Sequence, residues 1–324
     1  MTRKLNSINR QLSPDPDLPV LVIGGAAIDI IGRFQGGLSL GTSIPAQIRS
    51  SYGGVARNVS ENLARLGQMV YFLTAVGEDY AGDQIIQQCA KANIDVSHIY
   101  RSSHQPSGSY LAVFDEKGIM QYALDDMRVT KEISAEYIQS KASLFKQASM
   151  LFLDANLPRD ALKKAISLAA RAKLPICADP TSNSLATKLI PFLSRLYLVT
   201  PNNHEAGILS GRTIEAGRRR QTIAAAKYLV AQGVDIAIIT LAEQGVCYAT
   251  SETSGYISAI RAEITDPAGG GDALTATVIF ALLHDIPLDD ALRLGVSAAT
   301  LTLKHPGSVV PDLSLEKLYD QLVI

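Results

Sequence analysis

The sequence predicts an α/β fold built on a parallel sheet, and two observations carry that expectation. Short, continuous apolar runs recur along the chain, and amphipathic segments long enough to be crossover helices separate them. Apolar runs without alternation mark strands buried on both faces, as parallel strands are. A third observation points to function: polar residues follow the runs, at the strand ends where open α/β sheets bind ligands. With 324 residues, 47% of them hydrophobic, the chain is long enough for one large domain with a small appendage.

Taken in order, the first 18 residues, MTRKLNSINRQLSPDPDL, hold no apolar core for a signal peptide. They are expected to form a disordered extension before a folded domain spanning 19–324. From Val20 the run VLVIGG reads as a strand ending in paired glycines. Gly53-Gly54 then opens a helix whose apolar positions Val55, Val59, Leu63 and Leu66 keep helical spacing until Gly67 stops it. Further strands are expected at 70–76, 150–153, 176–178, 196–199 and 236–241, with helices at 160–171 and 222–232. The polar strand ends are Asp29 after the first run, then Asp154 and Asn156, Asp179, Asn202, and Thr240. Any one of these also reads as a turn or helix cap; several at one sheet edge suggest a site.

Two segments break this rhythm. Residues 30–52 are rich in Gly, Ser and β-formers, and YLAVF and IMQYAL read as two strands joined by Asp115-Glu116-Lys117-Gly118. Together, about 30–52 and 107–126 predict a small β-sheet outside the main one. Such a sheet is a lid that excludes water from a site, an edge that pairs with a second subunit, or an ordinary surface hairpin.

Charge and cysteine usage narrow the function. Thirty basic and 31 acidic residues leave a formal charge of -1, so no global field attracts nucleic acid or an anionic membrane. A small-molecule partner fits better. Cys89, Cys177 and Cys247 are far apart and form no Cys-x-x-Cys pair, which argues against a zinc site or a disulfide framework. No apolar run is long enough to span a bilayer. A cytoplasmic location is expected.

The most informative stretch is Asp266-Pro267-Ala268-Gly269-Gly270-Gly271-Asp272, leading into an apolar helix. Three glycines let backbone approach a ligand, and N–H groups at the helix start favour an anion. Asp272 beside such a site reads equally as an N-cap or as a base that takes the proton from an attacking hydroxyl. In Gly53-Gly54-Val55-Ala56-Arg57-Asn58, the Asn58 amide can serve sugar hydroxyls while the glycines let a ring lie against backbone; a tight turn before a core helix is the plain alternative.

These two stretches, in this order and separation, resemble the signatures of the ribokinase-like (PfkB) kinases. GGVARNVSENLARLG is similar to their N-terminal signature and DPAGGGDALTA to their C-terminal one, and the likeness runs from about Val20 to the end. The resemblance implies a Rossmann-like three-layer sandwich with a mostly parallel central sheet and a small β-sheet lid. It implies Asp272 as the catalytic base, with Gly269, Gly270 and Gly271 as the anion hole. Asp29, Gly53, Gly54 and Asn58, with Asn156, would hold the sugar. Asn202 and Glu205, in the N-x-x-E motif, would organise Mg2+ and ATP through water; Thr240, Ala242 and Gly245 would meet the nucleotide. Asp266 would lie near a monovalent cation such as K+. A homodimer through the lid would fit.

This chain departs from the family pattern at several positions. Gly270 stands where Ala is usual, Ala268 where Thr is frequent, and Thr277 where Gly or Ala is usual. Ala242 replaces a nucleotide-loop glycine, and Ala27 stands where many members carry Asn two residues before the substrate Asp. Outside the shared motifs, SYLAVFDEKGIMQYALDDM and LFLDANLP resemble the branch of the family that acts on pseudouridine. The implied reaction is ATP-dependent phosphorylation of a nucleoside 5′-hydroxyl. Ribose, a ketose, adenosine or cytidine remains an alternative acceptor, and a catalytically weak nucleoside sensor is the rival of another class. Neither Gly-x-x-x-x-Gly-Lys-Ser/Thr nor a strand-borne Gly-x-Gly-x-x-Gly occurs, which excludes an ordinary P-loop kinase and a dinucleotide enzyme.

Overall fold

The recurring apolar runs fold as expected into a sheet covered on both faces. The computed structural model describes residues 14–37, 41–215 and 217–323. Nine strands form the main sheet: β1 (Val20–Ile23), β4 (Val70–Gly77), β5 (Ile99–Ser102), β8 (Met150–Asp154), β9 (Ile176–Asp179), β10 (Leu198–Val199), β11 (Ile236–Thr240), β12 (Gly245–Ala249) and β13 (Ser254–Ser258). Their order is β13-β12-β11-β10-β9-β8-β1-β4-β5. Pairing is parallel from β5 to β11, and β12 and β13 close one edge as an antiparallel hairpin.

Strand alternation divides the apolar residues between two cores. Leu21, Ile23, Leu151 and Leu153 point to one face, under α3 (Ala135–Ser140), α4 (Arg159–Ala172), α5 (Asn203–Ser210) and α6 (Arg219–Ala231). Val20, Val22, Met150 and Phe152 point to the other, under α1 (Val55–Arg65), α2 (Tyr80–Lys91), α7 (Gly270–Leu283), α8 (Leu288–Lys304) and α9 (Leu315–Val323). Helix α7 is buried nearly all round, as its apolar sequence requires. It packs closely on α8 at Gly295, where a Cβ would lie 3.0 Å from Val278. The three cysteines are free and buried. No helix among the described residues is long and apolar enough to cross a membrane.

The small sheet consists of β2 (Ala27–Phe34), β3 (Ala46–Gly53), β6 (Gly108–Phe114) and β7 (Met120–Asp126), in the order β3-β2-β6-β7. Its hairpin turn is the expected one, with Gly118 at φ +75° and its N–H donating to the Asp115 carbonyl. Register fixes what each face carries. Asp29 lies opposite Ser51 and Ile31 opposite Arg49, so Asp29, Arg33 and Arg49 share the inner face. Ile48, Leu111, Tyr122 and Leu124 share the outer face and are exposed.

Two boundaries differ from expectation. Asp29 does not sit at the end of β1; the chain turns at Gly24-Gly25 and stays extended, pairing β2 with β3 and β6 from Ala27 onward. The sugar-binding candidate therefore belongs to the small sheet. Of the expected extension, residues 1–13 lie outside the described residues. Residues 16 and 18 are tied down by the Gln68 amide, which donates to the Pro16 and Leu18 carbonyls at 3.2 and 2.9 Å.

Candidate active site

The site is organised by a buried carboxylate at the end of β8. Asp154 Oδ2 accepts from the N–H groups of Gly25 (2.9 Å) and Ala56 (3.1 Å), and Oδ1 from Asn156 N–H (3.0 Å). It thereby staples the turn after β1 to the first turn of α1. Burial pushes its pKa up, and these donors pull against that shift. Gly24 is required here, because a Cβ would meet the carboxyl at 2.4 Å. Asn156 lies against Gly25, and Lys188 Nζ fixes its loop by donating to the Ala155 and Leu157 carbonyls at 2.8 and 2.9 Å. Sequence reasoning placed Asp154 at the sheet edge but gave it no role in the site.

The glycine pair before α1 makes room for its protein neighbours. A Cβ on Gly53 would lie 2.1 Å from the Asp29 carboxylate oxygens, so glycine here makes room for that carboxylate. Gly54 caps α1 at φ +92°, close against the Gly25 carbonyl. Arg57, which the sequence reading passed over, is 2% exposed. Its guanidinium pairs with Glu61 at 2.6 Å and donates to the Tyr52 carbonyl and to Asn58 Oδ1, each at 3.1 Å. Burial raises the Asp29 pKa to about 6, and Arg57 draws it back down while Asp266 pushes it up.

Asn58 and Asp272, expected in separate roles, are joined directly. Asn58 Nδ2 donates to Asp272 Oδ2 at 2.6 Å, bridging α1 to α7. Helix α7 begins at Gly270 with Gly269 as its N-cap, which places Asp272 third in the helix and rules out the N-cap reading. The Asp272 pKa is raised to about 7, chiefly by burial, against the lowering influences of Asn58 and Arg57. A carboxylate poised there can exchange a proton near neutral pH. The three glycines before it differ in purpose. Gly269 adopts φ +78° beneath the Ser308 carbonyl, Gly270 packs on Leu303, and Gly271 has open space where a Cβ would be. Gly271 thus leaves space next to Asp272, and the first N–H groups of α7, which lack partners within the helix, and the helix dipole favour an anion at this end.

The other expected half-site gathers around β10 and β11. Asn202 Oδ1 accepts from His204 and Glu205 N–H, and Glu205 Oε2 accepts from Asn202 N–H at 2.8 Å, a complete capping box. Glu205 is buried and its pKa raised by that burial. Asp179, at the end of β9, is pushed well above the usual carboxylate range by burial, then by Glu205 and Asp272. It links the two halves electrostatically; the sequence placed it at the sheet edge without a role. Thr240 bridges to Asn202 across the strand ends.

In the loop that follows, Gly245 at φ +106° cannot carry a side chain, since a Cβ would lie 2.2 Å from the Ile257 carbonyl. Ala242 adopts φ +48°, a left-handed conformation that costs alanine about 1 kcal/mol. Ala242→Gly should therefore stabilise the protein by up to about 1 kcal/mol. Urea denaturation would register this as a higher midpoint at unchanged slope.

Asp266 lies where a monovalent cation was expected, and its direct partners are a cation and hydrogen-bond donors. The Arg49 guanidinium contacts Oδ2 at 2.6 Å, Gly307 N–H donates to Oδ2 at 2.9 Å, and Ala268 N–H to Oδ1 at 3.1 Å. Among the described residues, no group of three or more His, Cys, Asp or Glu converges as a direct metal cage.

Comparison with known proteins agrees with this architecture. The model of the pfkB family of carbohydrate kinases matches residues 18–314. Pseudouridine kinase of Escherichia coli K12 is 29% identical over 91% of this chain and 94% of its own. A carbohydrate kinase from Agrobacterium tumefaciens superposes with TM-score 0.80 at 24% identity, covering 94% of this chain and 97% of its own. An E. coli protein described as ribokinase II, solved with ATP and Mg2+, superposes with TM-score 0.80 at 18% identity, covering 94% and 99%.

Proposed function

The chain belongs to the pfkB family of carbohydrate kinases, and from that premise we propose that it transfers the γ-phosphoryl group of ATP to the 5′-hydroxyl of pseudouridine. The observation that carries the chemistry is Asp272, held by Asn58 beside the open N-terminus of α7 with its pKa at about 7. The observation that favours the acceptor is likeness to pseudouridine kinase along nearly the whole chain.

Each residue has a task in this reading. Asp29 on the lid and Asn58 on α1 orient the ribose so that its 5′-hydroxyl meets Asp272. Asp272 accepts the hydroxyl proton as the oxygen attacks phosphorus in line. The N–H groups of Gly270 and Gly271 receive the charge that spreads over the phosphoryl oxygens. Arg57 keeps Asp29 and Asp272 from being pushed further toward their neutral forms. Thr240, Ala242 and Gly245 border the nucleotide. Asp179, Glu205 and Asn202 suit a hydrated Mg2+: a half-buried and a buried carboxyl with raised pKa values are groups that a nearby dication would return to their charged forms. When bound, Mg2+ neutralises phosphate charge. The inner face of the lid keeps water from competing as acceptor.

The test is ADP release from ATP and Mg2+ across pseudouridine, uridine, adenosine, cytidine, ribose and fructose. Preference for pseudouridine by tenfold or more in kcat/KM is expected. Preference for another acceptor would overturn the substrate and leave the kinase, whereas tight nucleoside binding without turnover would favour a sensor.

The lid's outer face suits a second copy of the chain, and a cytoplasmic dimer belongs to the same proposal. Leu124 is 69% exposed, Ile48 73% and Tyr122 55%, on a sheet with free edges at β3 and β7. Light scattering should give twice the chain mass, and Leu124→Glu should shift the population to monomer.

A further inference from the structure

The residues around Asp266 do not fit the monovalent cation that the family resemblance implies. A bound alkali cation needs converging oxygen lone pairs. Here Oδ2 accepts Gly307 N–H at 2.9 Å and faces a guanidinium, and Oδ1 accepts Ala268 N–H at 3.1 Å, so of the four lone pairs of the carboxylate only one, on Oδ1, is left uncommitted. The positive charge comes from the protein itself, through Arg49 at 2.6 Å from Oδ2. Asp266 is 2% exposed, so this is a partly desolvated pair rather than a surface contact.

The position of Arg49 gives the pair a second consequence. It lies on β3, on the same face as Asp29, so the cation belongs to the lid and the anion to the segment leading into α7. A second lid arginine reaches the same segment: Arg33 donates to the Thr265 carbonyl at 3.3 Å. Asp266 in turn holds both strands of the glycine loop. Ala268 immediately precedes Gly269, and Gly307 precedes Ser308, whose carbonyl lies against Gly269. A lid movement that withdraws Arg49 therefore leaves Asp266 uncompensated at the hinge of the anion hole.

We propose that Arg49 is the built-in cation of this kinase, replacing a monovalent metal ion at Asp266 and aligning the glycine loop only when the lid is in place. Arg49 is a positioning residue, since its charge acts through Asp266 on the loop. The proposal rests on the kinase reading for its activity readout but not for its binding readout. Turnover should change less than twofold between 100 mM KCl and 100 mM tetramethylammonium chloride, and the two salts should give the same melting temperature.

Arg49→Ala should lower kcat tenfold or more. Guanidinium chloride at 10–50 mM, but not equimolar urea, should restore at least part of that loss and raise the variant's melting temperature relative to tetramethylammonium. Arg49→Lys, which keeps the charge on a different stem and head group, should fall between the two. Tenfold activation of the unaltered protein by K+, K+-specific stabilisation of it, or an Arg49→Ala protein that folds and turns over normally would each overturn the proposal. If no acceptor is phosphorylated at all, the kinase reading fails, while the melting arms still decide whether Asp266 takes K+ or guanidinium.

Discussion

Asp272→Asn should lower kcat by about two to four decades and at the same time raise the melting temperature. The kinetic loss follows from the role proposed for Asp272, taking the hydroxyl proton, which contributes roughly that factor in general-base catalysis. The gain in stability follows from linkage. Folding raises the Asp272 pKa from the ordinary carboxylate value of 3.8 to about 7. Between those values the unfolded chain is ionised while the folded protein holds its proton. Stability is therefore lost as pH rises from about 4 to about 7, and the loss then persists. Asparagine does not titrate, so the variant's advantage should be absent near pH 4 and largest at pH 8. Asn58 Nδ2 now faces either the new carbonyl or the new amide, and the carbonyl rotamer keeps the bridge to α1. Scanning fluorimetry across pH would read the stability arm. An equal shift at pH 4 and 8 would point to packing instead of charge. For the unaltered protein, kcat/KM should rise with pH through about 7, because only the ionised carboxylate can act as base.

How much of this was legible in sequence depends on how far apart the partners stand. Runs such as VLVI and MLFL declare burial on both faces locally, and the parallel sheet follows from them without distant information. The hairpin at Asp115–Gly118 likewise carries its own turn chemistry. Asp29 was assigned to the wrong sheet because extended backbone continues past Gly24-Gly25, and only pairing with β3 and β6 shows that the strand has changed partners.

Cations were harder to find than carboxylates. An arginine in a helix or on a β-ribbon reads as solvated. The partners of Arg57 are local, the Tyr52 carbonyl, Asn58 and the i,i+4 carboxylate of Glu61, and what stays hidden is that α1 turns this face into the protein. Arg49 meets a carboxylate more than two hundred residues away. Asp154 was hidden for a different reason: the donors that define its role are backbone N–H groups from three segments, and backbone leaves no mark on the sequence. The N-x-x-E motif shows the converse case, in which one local pattern satisfies two demands. Asn202 and Glu205 cap α5 whatever else they bind.

Gly269→Ala should be the most damaging single-methyl change in the chain's glycine loop. At φ +78° an L-residue is already strained, by about 1–2 kcal/mol. The added Cβ would also lie 2.1 Å from the Ser308 carbonyl oxygen and 2.7 Å from its carbon. That obstacle is backbone, not the tip of a flexible side chain, so the 307–308 segment or the start of α7 must move. Either movement disturbs what Asp266 holds, because its carboxylate bonds to Gly307 and Ala268 on the two sides of the contact. The N–H groups of Gly270 and Gly271 would then shift, and the transition-state stabilisation proposed for them would fall with their alignment.

A loss of at least about 2 kcal/mol in stability is expected from the strain and clash together, with kcat reduced a hundredfold or more. Gly271→Ala is the internal control. Its Cβ would meet nothing within 4 Å, so the fold should be unaffected, and any lost activity would report a methyl group standing in the space that the phosphoryl group requires. Urea unfolding and steady-state kinetics of the two variants separate these effects. If Gly269→Ala keeps both stability and turnover, the loop is not the rigid anion cradle proposed. If Gly271→Ala keeps full turnover with a native fold, the phosphoryl group does not pass beside that residue.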